Sequence, residues 1–317
     1  MPDAFSAVVA GLTLGASNPL DHVLNHKWIE VNGWIVWSAI QTNLVLTVII
    51  MLVLGSWIAK QIATGPQSDG HDRFVTRNPF AHMVEVICVY LRDKVVRPLL
   101  HERTDAFMPF LWTVFFFILI NNLLGLIPIL DLITLFAPDM VQGEHKAPVG
   151  GTATQHLWVT GALALVAGVV INIAGLKALG PVEFVKHLTG GVPFKPMYLP
   201  VIAIVFAIEV AGIFIKPIAL AIRLFANMTA GHTLLATLAM FVGLAFAANT
   251  LLVTVPITAV SAAGMIAIYF LEIFVGFLQA FVFMFLTTVF ISLLSHHGEH
   301  AEDHAHDHHG HHDVAHA

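Results

Sequence analysis

Two very long apolar segments in the C-terminal half of the chain constrain its fold most strongly. Residues 201–242 and 251–294 are about 42 and 44 residues long, and a helix needs only about 20 residues to cross a bilayer. Each segment predicts either one steeply tilted membrane helix or a helix broken within the membrane. The composition agrees, because 57% of the residues are hydrophobic and 11% are charged, against about 25% charged in soluble domains. A soluble enzyme is excluded, and an integral membrane protein is predicted.

Three shorter apolar runs precede these segments and predict three further membrane helices, at residues 34–59, 107–130 and 157–176. Residues 79–100 repeat an apolar side chain at every fourth position and carry charges on the other faces, which predicts an amphipathic helix on the membrane surface. The predicted fold class is all-α: a polytopic membrane protein with five transmembrane helices, the last two long and tilted as a hairpin, plus this interfacial helix. The membrane domain, 34–295, is predicted to follow an extracytoplasmic segment, 1–33, and to precede a His-rich disordered tail, 296–317.

The distribution of lysine and arginine predicts the orientation of the chain in the membrane. Seven of these residues lie between the first and second spans and three between the third and fourth, whereas the opposite side has only Lys27 and Lys146. The positive-inside rule then places the N-terminus outside and, after five spans, the C-terminus in the cytoplasm. The composition implies no nucleic-acid partner, and the single cysteine, Cys88, excludes an intramolecular disulfide.

Ionisable residues inside apolar spans mark a pathway, a proton relay or a buried pair, and here the last two spans hold them. Glu209, Lys216 and Arg223 follow one another at intervals of seven and form one polar stripe on a helix, which Asn227 extends. Lys216 is predicted to snorkel or to pair with Glu209. Arg223 is the hardest of them to explain structurally, because a guanidinium cannot lose its proton to enter lipid.

Aligning the last two spans as a hairpin predicts which of their polar residues share a depth. Glu272 and Gln279 lie seven residues apart on one face of the last span. If both helices rise equally from a single turn, Arg223 lies at the depth of Gln279, and His232 lies near the depth of Glu272. Glu209 then lies toward the cytoplasm and the His232–Glu272 pair toward the outside, which predicts two half-paths for protons separated by a fixed cation.

Two asparagines, Asn121 and Asn122, interrupt the second span. An amide within a membrane helix is stabilised when it hydrogen-bonds to a neighbouring helix. Both residues are therefore predicted to join helices rather than to bind a ligand.

The region around Arg223 also carries a family resemblance. Residues 216–232, KPIALAIRLFANMTAGH, resemble the signature of subunit a of F-type ATP synthases. Residues 278–283, LQAFVF, are similar to the second signature of that subunit, and 121–128 and 152–164 are weaker matches. The likeness covers about residues 34–295, and the segment around Arg223 is its most specific part.

The resemblance implies a non-catalytic, proton-translocating stator in a bacterial inner membrane, with no cofactor. Its implied partners are the ring of c subunits, the b subunits of the peripheral stalk, the other ATP synthase subunits and membrane lipid. Arg223 would be the essential charge that faces the ring. The implied proton-path residues are Glu209, Asn227, His232, Glu272 and Gln279. In the best-studied bacterial pattern a carboxylate stands at the position of His232 and a histidine at that of Glu272, so this chain has the pair exchanged.

The His-rich tail keeps one alternative open, a divalent-metal cation transporter with a cytoplasmic metal-binding tail. Ten histidines lie between positions 296 and 316, together with Glu299, Asp303 and Asp307, and neutral imidazoles suit zinc or nickel. A transporter should also cluster metal ligands within its spans, where this chain has an arginine on the main polar stripe.

Overall fold

The computed structural model describes residues 27–31, 34–62, 76, 78–127, 153–189, 196–247 and 250–307. A two-stranded antiparallel sheet comes first, made of β1 (Lys27–Val31) and β2 (Trp34–Ser38). Six helices of twelve or more residues follow among the described residues: α1 (Ala39–Ile62), α2 (Pro79–Tyr90), α3 (Thr104–Leu126), α4 (Leu157–Leu188), α5 (Leu199–Ala247) and α6 (Leu251–Asp307).

Five helical segments of the described chain are long and apolar enough to cross a membrane. They are Ala39–Ile62, Pro79–Leu126, Leu157–Val182, Leu199–Ala247 and Leu251–Leu293. The prediction of a helical, polytopic membrane protein with five spans is therefore confirmed. The second segment includes the predicted interfacial helix, whose place on the membrane surface stays a prediction.

The first span begins five residues later than predicted, because residues 34–38 form strand β2. This segment, WIVWS, is rich in the aromatic and β-branched residues that strands favour. The helix starts after Ser38, whose backbone N–H donates to Gln41 Oε1 at 2.8 Å. A glutamine three residues after a serine is half of a capping box, which fixes the helix start. Of the predicted N-terminal segment, residues 1–26 lie outside the described residues.

The predicted helix over 79–100 is helical throughout but not regular. Asn78 Oδ1 accepts hydrogen bonds from the backbone N–H groups of Phe80 and Ala81, which caps the start of α2. A π-helix (Leu91–Val96), one α-helical turn (Arg97–Leu100) and a 3₁₀ turn (His101–Arg103) then lead into α3. His101 has φ 46°, a conformation that glycine adopts more readily. The predicted end of the second span, residues 128–130, lies outside the described residues.

The third span continues beyond its predicted end at 176, because α4 extends to Leu188. Its helical geometry is interrupted at Gly180, with φ 77° and ψ 165°. Pro181 follows, and proline cannot donate the hydrogen bond that would continue the first helical segment. We therefore describe α4 as two helical segments joined at Gly180.

Helices α5 and α6 settle the alternative that the sequence left open for the two long segments, since each is one continuous helix. They contain 49 and 57 residues and include Pro217 and Pro256, respectively. Helix α6 ends at Asp307, and the predicted disorder of the tail, 296–317, stays a prediction. Residues 308–317 lie outside the described residues.

The chain divides into two compact units, and α5 and α6 contribute to both. The first unit comprises Met1–Met83, Thr113–Thr160 and Arg223–Phe281; the second comprises Val84–Trp112, Gly161–Ile222 and Val282–Ala317. Buried residues of the first unit include Phe115, Ile118, Leu224 and Met228. Those of the second include Met108, Leu111, Leu220, Phe283 and Ile291.

Candidate functional site

The site residues predicted from the sequence are distributed over both units. Those in the first unit are Arg223, Asn227, His232, Glu272 and Gln279, and those in the second are Glu209 and Lys216. Within the first unit, the end of α5 and the start of α6 form an antiparallel hairpin. Thr254 Oγ1 closes it by donating to the Ala245 carbonyl oxygen at 2.7 Å.

Arg223 is the residue whose charge is least accounted for within the described chain. Its side chain is exposed on α5, and no carboxylate of the described ranges forms an ion pair with it. A guanidinium stays charged in any protein environment, and a charge within a membrane span normally has a partner. The described part of this chain does not supply that partner.

Asn227 joins the two arms of the hairpin one helical turn after Arg223. Its Nδ2 donates to Gln279 Oε1 at 3.0 Å, and Gln279 is buried whereas Asn227 is exposed. The sequence predicted that Gln279 lies at the depth of Arg223, but the residue that the structure brings to Gln279 is Asn227. The reason is that equal counting from a turn leaves the rotation of each helix undetermined, and an error of one turn is within its precision.

His232 and Glu272 form the second polar contact of the hairpin. His232 Nδ1 lies 3.5 Å from Glu272 Oε1, and the two side chains are 15% and 9% exposed. The predicted proximity of these residues is confirmed.

Carbonyl oxygens surround the imidazole of His232 on both sides. Nδ1 lies 3.0 Å from the Met228 carbonyl oxygen, and Nε2 lies 3.1 Å from the carbonyl oxygen of Gly125. A neutral imidazole donates from one nitrogen only, whereas an imidazolium donates from both. The site can therefore accommodate the protonated ring, and it places that ring beside a carboxylate.

Glu272 fits this position because residue 231 has no side chain. A Cβ added at Gly231 would lie 2.9 Å from Glu272 Cδ, closer than real Cβ atoms come to other atoms, and 3.0 Å from Cγ, tighter than most real Cβ contacts. Glu272 Oε2 is buried and has no hydrogen-bond partner among the described residues. A buried ionised oxygen without a partner is unfavourable, so this oxygen is suited to carrying a proton. The role of Gly231 was not predicted from the sequence, although the residue lies within 216–232, beside His232.

Within the first unit, Asn122 links α3 to α6 and to a 3₁₀ turn, Ala153–Gln155. Its Nδ2 donates to the Gly276 carbonyl oxygen of α6 at 3.1 Å, and its Oδ1 accepts from Thr154 Oγ1 at 2.9 Å. The prediction that Asn122 joins helices is confirmed. The prediction is wrong for Asn121, whose Nδ2 donates to the Phe117 carbonyl oxygen of its own helix at 3.0 Å.

Lys216 has a partner within the second unit, but that partner is not Glu209. Its Nζ lies 5.5 Å from the centroid of the Phe290 ring, a distance at which a cation is attracted to the face of an aromatic ring. Its Cε lies 3.8 Å from the position that a Cβ would take at Gly212. Among the described residues no ion pair joins Lys216 to the half-buried Glu209, so that predicted pairing is wrong.

The transporter alternative required a cluster of metal ligands within the spans. The described residues contain no group of three histidine, cysteine, aspartate or glutamate side chains placed to hold a metal ion. His232 and Glu272, which contact each other within the spans, supply two potential metal ligands, one fewer than such a group needs.

Comparison with known proteins places this chain in a family. Residues 41–292 match the model of the family described as ATP synthase A chain. ATP synthase subunit a of Myxococcus xanthus is 39% identical over 74% of this chain and 67% of its own length. The subunits a of Anaeromyxobacter dehalogenans and Chloroherpeton thalassium are 38% and 37% identical over 71% and 73% of this chain. The chain spans 51% and 59% of the length of these last two relatives. Because the family model matches most of the chain, the chain belongs to the ATP synthase A chain family.

Proposed function

We propose that this chain is the ion-translocating stator subunit of a rotary F-type ATP synthase. It works beside the ring of c subunits, with the b subunits of the peripheral stalk, and itself catalyses no covalent chemistry. The proposed orientation in the bacterial inner membrane has the N-terminus outside and the C-terminus in the cytoplasm. The observation that carries the proposal is Arg223, an exposed cation in a membrane helix without a carboxylate partner among the described residues.

The proposed partner of Arg223 is a carboxylate that each c subunit presents in turn. An ionised carboxylate is stabilised close to a guanidinium, and the attraction is stronger away from bulk water. A protonated, neutral carboxylic acid is not held in this way. A ring site can therefore rotate into lipid after it gains a proton, and it is retained near Arg223 after it loses one.

The same charge separates the two proton paths. A proton that moved directly from one half-path to the other would have to pass a fixed positive charge, which repels it. Protons therefore cross only by riding on the ring. Across about 100 mV each proton yields about 2.3 kcal/mol, and this energy is delivered as rotation.

His232 and Glu272 are the proposed relay of the outer half-path. The 3.5 Å between Nδ1 and Oε1 is slightly longer than a direct hydrogen bond, so a small side-chain movement or one water completes the transfer. Histidine suits this role because either of its two ring nitrogens can bind or release a proton. The second carboxylate oxygen, Oε2, is the one available for exchange with the next proton carrier, since no described residue donates to it.

Glu209 is the proposed carboxylate of the cytoplasmic half-path. It lies 14 residues before Arg223 on the same helix, and at two intervals of seven the two residues share one helical stripe. The hydrogen-bonded amides of Asn227 and Gln279 give the neighbourhood of Arg223 polar atoms without a second charge. The charge that a ring carboxylate meets there is then that of Arg223 alone.

The test is the variant Arg223→Ala in the complete complex, reconstituted in proteoliposomes. ATP-driven proton pumping and ATP synthesis should be lost, while passive proton leak through the membrane sector should rise. Lys216→Ala is the matched control, since it removes a cation from the same stripe that already has an aromatic partner; it should stay coupled. An assembled Arg223→Ala complex that pumps with normal coupling would refute the proposal. A complex that fails to assemble would instead assign Arg223 a purely structural role.

A further inference from the structure

A groove between α4 and α5 lies within the second unit and takes no part in the proposed mechanism. Its volume is about 390 Å³, which is within the range of sites that bind small ligands. Its lining is apolar except for the amide of Asn172. The two helices approach closely at Gly168, where an added Cβ would lie 2.6 Å from Pro217 Cγ, so only a glycine fits there.

The wall that α4 contributes to this groove is exposed. Leu165, Val169 and Ile173 follow one another at intervals of four and are 66%, 49% and 48% exposed. The groove lies between two helices that are long and apolar enough to cross a membrane, so hydrocarbon and not water surrounds it. An empty apolar groove leaves its lining atoms without contacts on one side, and water does not fill such a space stably. The groove therefore needs an apolar occupant.

The dimensions of the groove select a single hydrocarbon chain as this occupant. The groove follows α4 from Gly161 to Ile173, a rise of about 18 Å. The volume of about 390 Å³ spread over this length gives a mean cross-section of about 22 Å², which is about 5 Å across. A helix with its side chains is about 10–12 Å across and is too wide to enter. The length exceeds half of the roughly 30 Å hydrocarbon core, so an acyl chain from one leaflet can lie along the groove.

A lysine at one end of the groove indicates the headgroup. Lys177 is the next position in the series of four-residue intervals, one helical turn beyond Ile173. Its side chain is exposed, and no carboxylate of the described ranges forms an ion pair with it. We infer that the groove binds one acyl chain of an anionic phospholipid whose phosphate pairs with Lys177. A lysine near the membrane surface attracts anionic headgroups, and its long stem can follow an apolar surface while the ammonium group reaches the phosphate.

The first test removes the charge. The full chain, purified in detergent, is titrated with dipalmitoyl phosphatidylglycerol or dipalmitoyl phosphatidylcholine, and native mass spectrometry resolves the affinity of each bound lipid. The unaltered chain should bind one phosphatidylglycerol more tightly than any phosphatidylcholine. Lys177→Ala should weaken this binding by about fivefold, as expected for one lysine near a membrane surface, and Lys177→Arg should restore it. Lys60→Ala is the matched control, since it removes another exposed lysine near the end of a span, in the first unit; it should stay within about twofold.

The second test fills the groove. Asn172 Nδ2 donates to the Gly168 carbonyl oxygen of its own helix at 2.7 Å, and both Asn172→Phe and Asn172→Ala remove this hydrogen bond. Only phenylalanine adds bulk to the groove, so Asn172→Phe should lose the tightly bound phosphatidylglycerol, whereas Asn172→Ala should keep it within about twofold. Equal binding by the two variants would overturn the inference. So would an unaltered chain without preference for phosphatidylglycerol, or an equal loss in Lys177→Ala and Lys60→Ala.

Assembly distinguishes a lipid from a helix of another subunit in the groove. If a lipid chain occupies it, the Asn172→Phe chain should still assemble with its partner subunits, because only a lipid is displaced. An Asn172→Phe chain that folds in detergent but no longer assembles would identify a subunit helix as the occupant and overturn the inference. The binding measurements require no proton pumping, so the lipid site and the proposed stator function can fail separately.

Discussion

The fit of Glu272 against Gly231 gives the sharpest prediction for the proton relay. In Gly231→Ala the new methyl group would lie 2.9 Å from Glu272 Cδ and 3.0 Å from Cγ, and closer still to Oε1. The glutamate must then move, since its own helix and the hairpin fix the backbone. Alanine is otherwise the best helix former and would stabilise α5 by about 1 kcal/mol relative to glycine. A loss of function would therefore come from the displaced carboxylate and not from a weakened helix.

The size of the effect follows from the distance between the two charges. At an effective dielectric constant of about 20, two unit charges attract by about 4.7 kcal/mol at 3.5 Å and by about 3.3 kcal/mol at 5 Å. A displacement that lengthens the distance from His232 Nδ1 to Glu272 Oε1, 3.5 Å in the structure, to about 5 Å therefore weakens the pair by about 1.4 kcal/mol. That corresponds to about a tenfold change in an equilibrium or rate. We expect proton flux in Gly231→Ala to fall by about tenfold.

The assay is ATP-driven proton pumping and passive flux in proteoliposomes, normalised to the amount of assembled complex. Gly264→Ala is the control, because its new methyl group would meet only the end of the flexible Leu238 side chain in the same unit, Cδ1 at 3.2 Å and Cδ2 at 3.8 Å. The second substitution Glu272→Asp shortens the carboxylate by one methylene and should restore part of the flux in Gly231→Ala. Unchanged flux in an assembled Gly231→Ala complex, or no recovery with aspartate, would contradict the reasoning.

Three further predictions concern other contacts. His232→Ala and Glu272→Ala should each slow proton flux, and the loss in the double variant should differ from the sum of the single losses by more than about 0.5 kcal/mol. The exchange His232→Glu/Glu272→His should recover part of the flux. Additive losses would exclude a linked pair. Asn122→Ala removes two buried hydrogen bonds and should lower the free energy of unfolding by about 1 to 2 kcal/mol, which a drop in thermal midpoint in detergent would register; Asn121→Ala, which removes a bond within one helix, should lower it less. His101→Gly relieves the strain of the φ of 46° and should raise the free energy of unfolding by about 1 kcal/mol. His101→Ala keeps this strain. Equal thermal midpoints for the two variants would therefore argue against backbone strain at His101.

The sequence was sufficient for the membrane helices because their signal is length and hydrophobicity, which tertiary contacts do not change. It was also sufficient for the contact between His232 and Glu272. In an antiparallel hairpin with a short turn, residues at one depth have numbers with a constant average, and here the turn near position 250 fixes that average. Counting gave the shared depth of the two residues, and the 3.5 Å contact shows that their side chains also face each other.

The features that the sequence did not reveal depend on helix rotation and on local side-chain chemistry. Counting from the turn gave the depth of Gln279 but not the rotation of α5. It therefore paired Gln279 with Arg223, whereas in the structure Gln279 bonds to Asn227. The start of α1 depends on the side chain of Gln41 reaching the backbone of Ser38, a signal present in the sequence but weaker than hydropathy. Gly231 becomes informative only when the position of Glu272 is known.

The contrast between the two cations of the polar stripe bears most directly on function. Lys216 and Arg223 lie seven residues apart on α5, and a purely structural account treats them alike. Yet Lys216 lies over the ring of Phe290. Asn227, one turn after Arg223 on α5, bonds to Gln279 of α6. Arg223 has no carboxylate partner in the described chain, although its charge is the one that no shift in protonation can remove. Under the proposed function, the counter-ion of this exposed charge is a carboxylate on another subunit. The two alanine variants separate these accounts, because only Arg223→Ala should uncouple an assembled complex.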